Sequence, residues 1–118
     1  MTDLAQLLPT RLLAVAYAAA PQVLDDLART LGFAHWTALT WKATFHVEDS
    51  GGGFRMLVAP LIADSLYLLL TDGEAELPTG ERDFALMVCQ NAPEHEVLGL
   101  EFAGSELTRQ CGPHLLVN

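Results

Sequence analysis

Hydrophobic residues recur along this chain with two periods, and the change from one to the other falls near Gly32. In the first third, Leu12, Leu13, Val15 and Ala16, then Val23, Leu24, Leu27, Ala28 and Leu31, return at helical spacing. Thr2 or Asp3 can cap a short turn through Leu8, Pro9 interrupts it, and Thr10 can cap the helix that follows. Pro21 suits the first position of a second helix, Asp25 and Asp26 lie near the positive end of its dipole, and Gly32 ends it. The expectation is a helical hairpin or a kinked pair.

Between Thr37 and Val47 the period becomes two. Leu39, Trp41, Ala43, Phe45 and Val47 fall on one side and Thr40, Lys42, Thr44, His46 and Glu48 on the other, as in a strand with one face on a core and one in water. Glu48 to Gly53 reads as a hairpin loop whose three glycines admit positive φ, and the strand Phe54 to Ala59 returns until Pro60 ends it or marks an edge. Ser65 to Thr71 and Phe84 to Cys89 are apolar on both sides, which predicts central strands covered on both faces. A fifth strand over Val97 to Ala103 and a short edge strand over Leu115 to Val117 complete the pattern. Helices first and strands afterwards predict an α+β fold, an N-terminal helical pair packed on a five- or six-stranded antiparallel meander. No repeat or low-complexity linker divides the 118 residues, so a single domain over 1–118 is expected.

Composition adds two constraints. With 51% hydrophobic and 18% charged residues the chain has the apolar surface needed to fold, and some of that surface is expected to remain exposed as a binding or oligomer patch. Fifteen acidic residues against six basic ones give a formal charge of −9, which repels phosphate backbones and anionic lipid. Direct nucleic-acid or membrane-surface binding is therefore not expected, whereas a basic protein surface is attracted. Arg11 followed by Leu12 to Ala20 imitates a signal peptide, but Asp3 counters the cation, the run is Ala-rich, and Pro21 follows the apparent cleavage site. The run is also short of the roughly 20 residues that span a membrane. Cys89 and Cys111 are too few for a disulfide scaffold, and a reduced cytoplasmic setting is the simpler expectation.

Several residue sets can carry chemistry, and each has a plainer reading. Cys89, His95, Cys111 and His114 are the right donors for tetrahedral zinc, and two residues separate Cys111 from His114. Five residues separate Cys89 from His95, however, and Cys89 continues a core strand where a free thiol behaves as a small hydrophobe. The spacing leaves metal binding open, but no metal or other cofactor is expected. Cys111-Gly112-Pro113-His114 lacks the helix start that redox thiol chemistry needs. His46, Glu48 and Asp49 pair a base with acids at a strand end, and solvation is the default there. His35 and Trp36 are expected to seal the joint between helices and sheet, with an indole N–H that needs one partner. Gly51 to Gly53 have no lysine or helix after them and are not a phosphate loop. From Asp72 to Asp83 the acidic spacing fails the calcium-loop pattern, because Leu77 stands where glycine is needed.

No serine has a nucleophile-elbow context, and an enzyme is not the expected class. The leading expectation is a small acidic protein-binding module, an inhibitor, antagonist, adaptor or chaperone-like protein. It would dock on a basic or apolar protein surface through Asp72, Glu74, Glu76, Glu81 and Asp83. Bacterial secretion chaperones and phage-encoded inhibitors are similar in bulk properties only. The alternative is a small-ligand binder or enzyme with an apolar pocket between helices and sheet, lined by Trp41, Phe45, Tyr67, Phe84 and Phe102. Either class is compatible with a homodimer formed through Leu115 to Val117 or the first helix.

Overall fold

Three helices precede six strands in the computed structural model, which describes residues 4–49, 52–62, 65–72, 76–91 and 94–116. They are α1 (Leu4–Ala19), α2 (Pro21–Thr30), α3 (Trp36–Thr40), β1 (His46–Asp49), β2 (Arg55–Ile62), β3 (Leu66–Thr71), β4 (Phe84–Gln90), β5 (His95–Ala103) and β6 (Glu106–Cys111). Each strand pairs antiparallel with the next, so the sheet is a six-stranded meander in the order β1 to β6. The helices pack on one face, and the fold is α+β as the element order predicts.

The helical layer differs from the sequence expectation at both ends. Helix α1 runs through Pro9, so Thr10 is an interior residue and not a cap. Proline here forfeits one bond near the amino-terminal end, and its ring is buried on the same stripe as Leu12, Ala16 and Ala20. The cap expected at Thr2 or Asp3 lies outside the described residues. Pro21 opens α2 as expected. The helix closes at Gly32, whose φ of 95° lets Phe33 N donate to Ala28 O and Gly32 N to Arg29 O.

The strand expected over Thr37 to Val47 is instead helix α3 followed by a turn, and only His46–Asp49 pairs as β1. Two acceptors explain the change. His35 Nδ1 accepts from Ala38 N at 3.1 Å, and Asp25 Oδ1 accepts from Trp36 N at 2.8 Å. These satisfy N–H groups that a helix start leaves open, and Trp36, Leu39 and Thr40 then bury one helical face. Asp25 Oδ2 also accepts from the Tyr17 hydroxyl at 2.8 Å, so one carboxylate ties α1, α2 and α3 together.

Alternate strand residues face the helices and form the core with them. Leu57 and Ala59 of β2, Leu66, Leu68 and Leu70 of β3, Leu86 and Val88 of β4, and Leu98 and Leu100 of β5 belong to this layer. Phe84 and Phe102 stack at 4.5 Å across the β4–β5 pair. Pro60 does not end β2, which continues to Ile62. It sits past the last β1 partner and beside a bulge, where no ladder donor is required of it. The sixth strand is Glu106–Cys111, and the edge strand expected near Leu115 is absent: Leu115 and Leu116 are irregular, and Val117 lies outside the described residues. Gly104 and Ser105, both at positive φ, make the tight turn into β6.

Candidate functional site

The two-sided apolar strands are not covered on both faces. Their second set of side chains, with Met56 and Val58 of β2, Tyr67 and Leu69 of β3, and Ala85, Met87 and Cys89 of β4, points away from the helices. Among the described residues no helix lies over them; Val58, Ala85 and Cys89 are buried among their neighbours, Met56, Tyr67, Leu69 and Met87 are half-buried, and this side carries two open depressions that meet at Met56 and Leu69. One, about 570 Å³, is bounded by β1 to β3 and by Asn91 and Glu94; the other, about 490 Å³, reaches Gly99 of β5 and Arg109 and Cys111 of β6. Register shifts beside Pro60, Val88 and Glu101 interrupt the ladders of β2, β4 and β5, and we refer to the two joined depressions as the trough.

The floor is apolar and the margin is acidic. Glu48, Asp49, Asp72, Glu94, Glu96 and Glu101 line the two depressions, against one guanidinium, Arg109, and one imidazole, His46. His46 Nε2 lies 3.7 Å from Glu48 Oε1, and Arg109 stands opposite Glu101 in the β5–β6 ladder. A hydrogen bond to Cys111 and the nearby Glu101 carboxylate hold Arg109 firmly in its charged form. Tyr67 and Cys89 are direct cross-strand partners. Burial pushes the Cys89 thiol up to about 11, and burial together with the neighbouring Cys89 pushes the Tyr67 phenol up to about 12. At neutral pH both are therefore protonated and uncharged, and the centre of the trough carries no ionised group.

The acidic residues expected to bind a partner are mostly occupied within the chain. Asp72 Oδ1 accepts from Glu76 N at 3.0 Å, and Glu76 Oε1 accepts from Arg55 Nε at 2.8 Å and Leu77 N at 3.0 Å. Glu81 lies 3.6 Å from Arg11 Nε, and Asp83 Oδ1 accepts from Gly104 N at 3.0 Å, clipping the β5–β6 turn. Glu74 is outside the described residues. Of the described members of this set, Asp72 alone lines the trough.

The five aromatic residues expected to share a pocket are dispersed. Tyr67 is in the trough, Phe84 and Phe102 fill the core, and Phe45 is buried beside a groove of about 350 Å³ between α1 and α3. Trp41 borders the same groove but is 69% exposed, with Lys42 Nζ 4.8 Å above its ring. Trp36 seals the helix–sheet joint, yet its indole N–H has no partner among the described residues. Cys89 and Cys111 belong to the trough, whereas the His95 and His114 rings lie together at 6.1 Å and His95 Nε2 meets Leu115 O at 3.1 Å. Among the described residues, no three His, Cys, Asp or Glu side chains converge as metal donors.

Sequence reasoning missed Met56, Val58, Leu69, Met87 and Gly99, and with them the rim residues Glu94, Glu96, Glu101 and Arg109. A signal was present. One amino-terminal helical layer can cover only one sheet face, so strands apolar on both sides imply an uncovered apolar face. Comparison with known proteins finds no matching family model, no matching curated protein and no matching solved structure. Among the described residues no helix is long and apolar enough to cross a membrane.

Proposed function

We propose that this protein is a binding module for another polypeptide and that the trough on the outer sheet face is its docking surface. The observation that supports this reading is an apolar sheet face that no layer covers among the described residues, bordered by six carboxylates. An apolar floor open to solvent between charged margins offers a contact surface, and two methionines on it suit an adaptable contact. The rim selects the partner's chemistry: apolar side chains flanked by lysine or arginine, drawn in by the acidic margin and held by burial. Six strands at roughly 4.8 Å spacing give a width on the order of 24 Å, which a helix of about 16 residues crosses. The role that follows is that of an inhibitor, adaptor or chaperone that sequesters a basic, apolar segment. A reducing cytoplasm suits Cys89 and Cys111, which are both free thiols.

Capture from the native host at two salt concentrations tests the proposal, with wild type compared against a Leu69→Lys, Met87→Lys double variant. The expected result is a bound protein with a basic apolar segment, weakened by salt and lost with the variant. Equal retention by the variant overturns the docking surface, and binding indifferent to salt removes the electrostatic part. Self-association of the wild type that the variant abolishes would assign the face to a second copy of the chain.

A further inference from the structure

Gly99 lies in the middle of β5, between Met87 on β4 and Cys111 on β6, and forms part of the trough floor. Glycine weakens a strand interior and there often marks a bulge, a bend or close approach by a ligand or another backbone. Within the chain, Gly99 lies between the two register shifts of β5, and a side chain there would require Glu96 to move. The backbone there is not at positive φ, and the three atoms nearest to a Cβ would all be side-chain atoms: Glu96 Oε1 at 2.7 Å, Glu96 Cδ at 3.3 Å and Cys111 Cβ at 3.8 Å. By contrast, a Cβ at Gly112 would fall 2.5 Å from Val97 O, so that glycine is needed by the fold itself. At Gly99 the two nearest of these atoms belong to the flexible end of Glu96, whose carboxylate lies over the position a side chain would take and can swing aside.

On the reading that the trough binds a polypeptide, we infer that the Gly99 hollow is the anchor subsite for one lysine or arginine side chain of the partner. The aliphatic stem lies over Gly99 and against Met87, and the cationic head meets Glu96 at the rim. Long basic side chains divide themselves in this way between an apolar floor and a charged edge. Charge complementarity selects the occupant: Glu96 overhangs the hollow and Glu101 lines the same depression, two carboxylates against the single guanidinium of Arg109, which bonds to Cys111 and faces Glu101 on the next strand.

The test uses the full chain and a synthetic 16-residue amphipathic leucine/lysine helix as probe, with a leucine/glutamate helix as control. Amide and methyl NMR shifts provide the readout. The leucine/lysine peptide is expected to move the Gly99 amide and the Met87 methyl, and the leucine/glutamate peptide to move neither. Gly99→Val should keep or raise the unfolding midpoint while weakening the peptide by about tenfold or more, the scale of a central contact. Glu96→Gln should weaken it by a few-fold and lower the salt dependence, and it keeps the test open if Gly99→Val does not fold. Shifts at Met56 and Leu69 without Gly99, with unchanged affinity in both variants, would overturn the subsite while leaving the docking surface intact. No shift anywhere in the trough would overturn both.

Discussion

Leu68 and Leu69 are neighbours in β3 whose side chains leave the sheet in opposite directions, and truncating each separately tests which face is covered. Leu68 is fully buried, set between Ala59 and Val88 under the helices, so Leu68→Ala removes both its transfer free energy and its packing. A buried leucine truncated to alanine costs about 2–5 kcal/mol, a large part of the roughly 5–15 kcal/mol that holds a domain folded. Leu69 is half-buried in the trough, and water can enter the space its truncation leaves. Its loss is then a partial transfer term of about 1 kcal/mol. With a urea slope of about 1.5 kcal/mol per molar, Leu68→Ala lowers the midpoint by roughly 2 M and Leu69→Ala by less than 1 M. Binding should show the opposite order, with Leu69→Ala impaired and folded Leu68→Ala retained. Urea unfolding followed by tryptophan fluorescence, at two protein concentrations, measures both midpoints. Equal costs independent of concentration would mean that the outer face is packed and would refute the trough. A Leu69→Ala cost that appears only at high concentration would assign the cover to a second copy.

The protonated Cys89 thiol gives a second expectation. With its pKa raised to about 11, roughly one molecule in a thousand carries the thiolate at pH 8. Disulfide exchange with a chromogenic reagent should consume Cys111 first and Cys89 only on unfolding; prompt reaction of both would contradict the burial of Cys89. Because the folded state holds the Cys89 and Tyr67 protons more tightly than the unfolded chain, their contribution is complete below about pH 9. It is lost as the pH rises through about 11 for Cys89 and about 12 for Tyr67, so urea midpoints should fall on the alkaline side, less steeply in Cys89→Ala. Asp25 works with the opposite sign. Hydrogen bonds from the Trp36 N–H and the Tyr17 hydroxyl hold its carboxyl below the usual range, so its contribution is present above about pH 4 and lost as the pH falls further. Asp25→Asn should flatten the acid limb of the stability profile and shift the fluorescence of Trp36; an unchanged acid limb would refute the staple.

The class and order of elements were legible because each depends on local periodicity: a 3.6 repeat before Gly32 and a repeat of two after it. The errors fall where a distant residue decides. Trp36 to Thr40 reads as strand or helix over so short a window, and Asp25, eleven residues earlier, settles it by accepting the Trp36 N–H. Strand β6 escaped notice because Glu106, Thr108, Arg109 and Gln110 are exposed and polar at the sheet's edge, where no apolar alternation is required. Likewise the acidic run from Asp72 to Asp83 gives no local sign that Arg55, Arg11 and the Gly104 turn lie within reach, since each contact joins separate strands or layers.

Those contacts move the electrostatic argument from the loop to the sheet. Glu76 and Glu81 are each matched by an arginine, and such a pair presents a short dipole whose field decays within a few ångströms. At the trough six carboxylates line an apolar floor, and among the described residues the basic side chains that line it with them are Arg109 and His46. At physiological salt the screening length is about 8 Å, so charges on one rim act together on a segment lying in the trough, and a loop on another edge contributes little. On the proposed reading, steering and burial act at one place, and the partner this arrangement would favour is a basic apolar segment and not a basic surface alone.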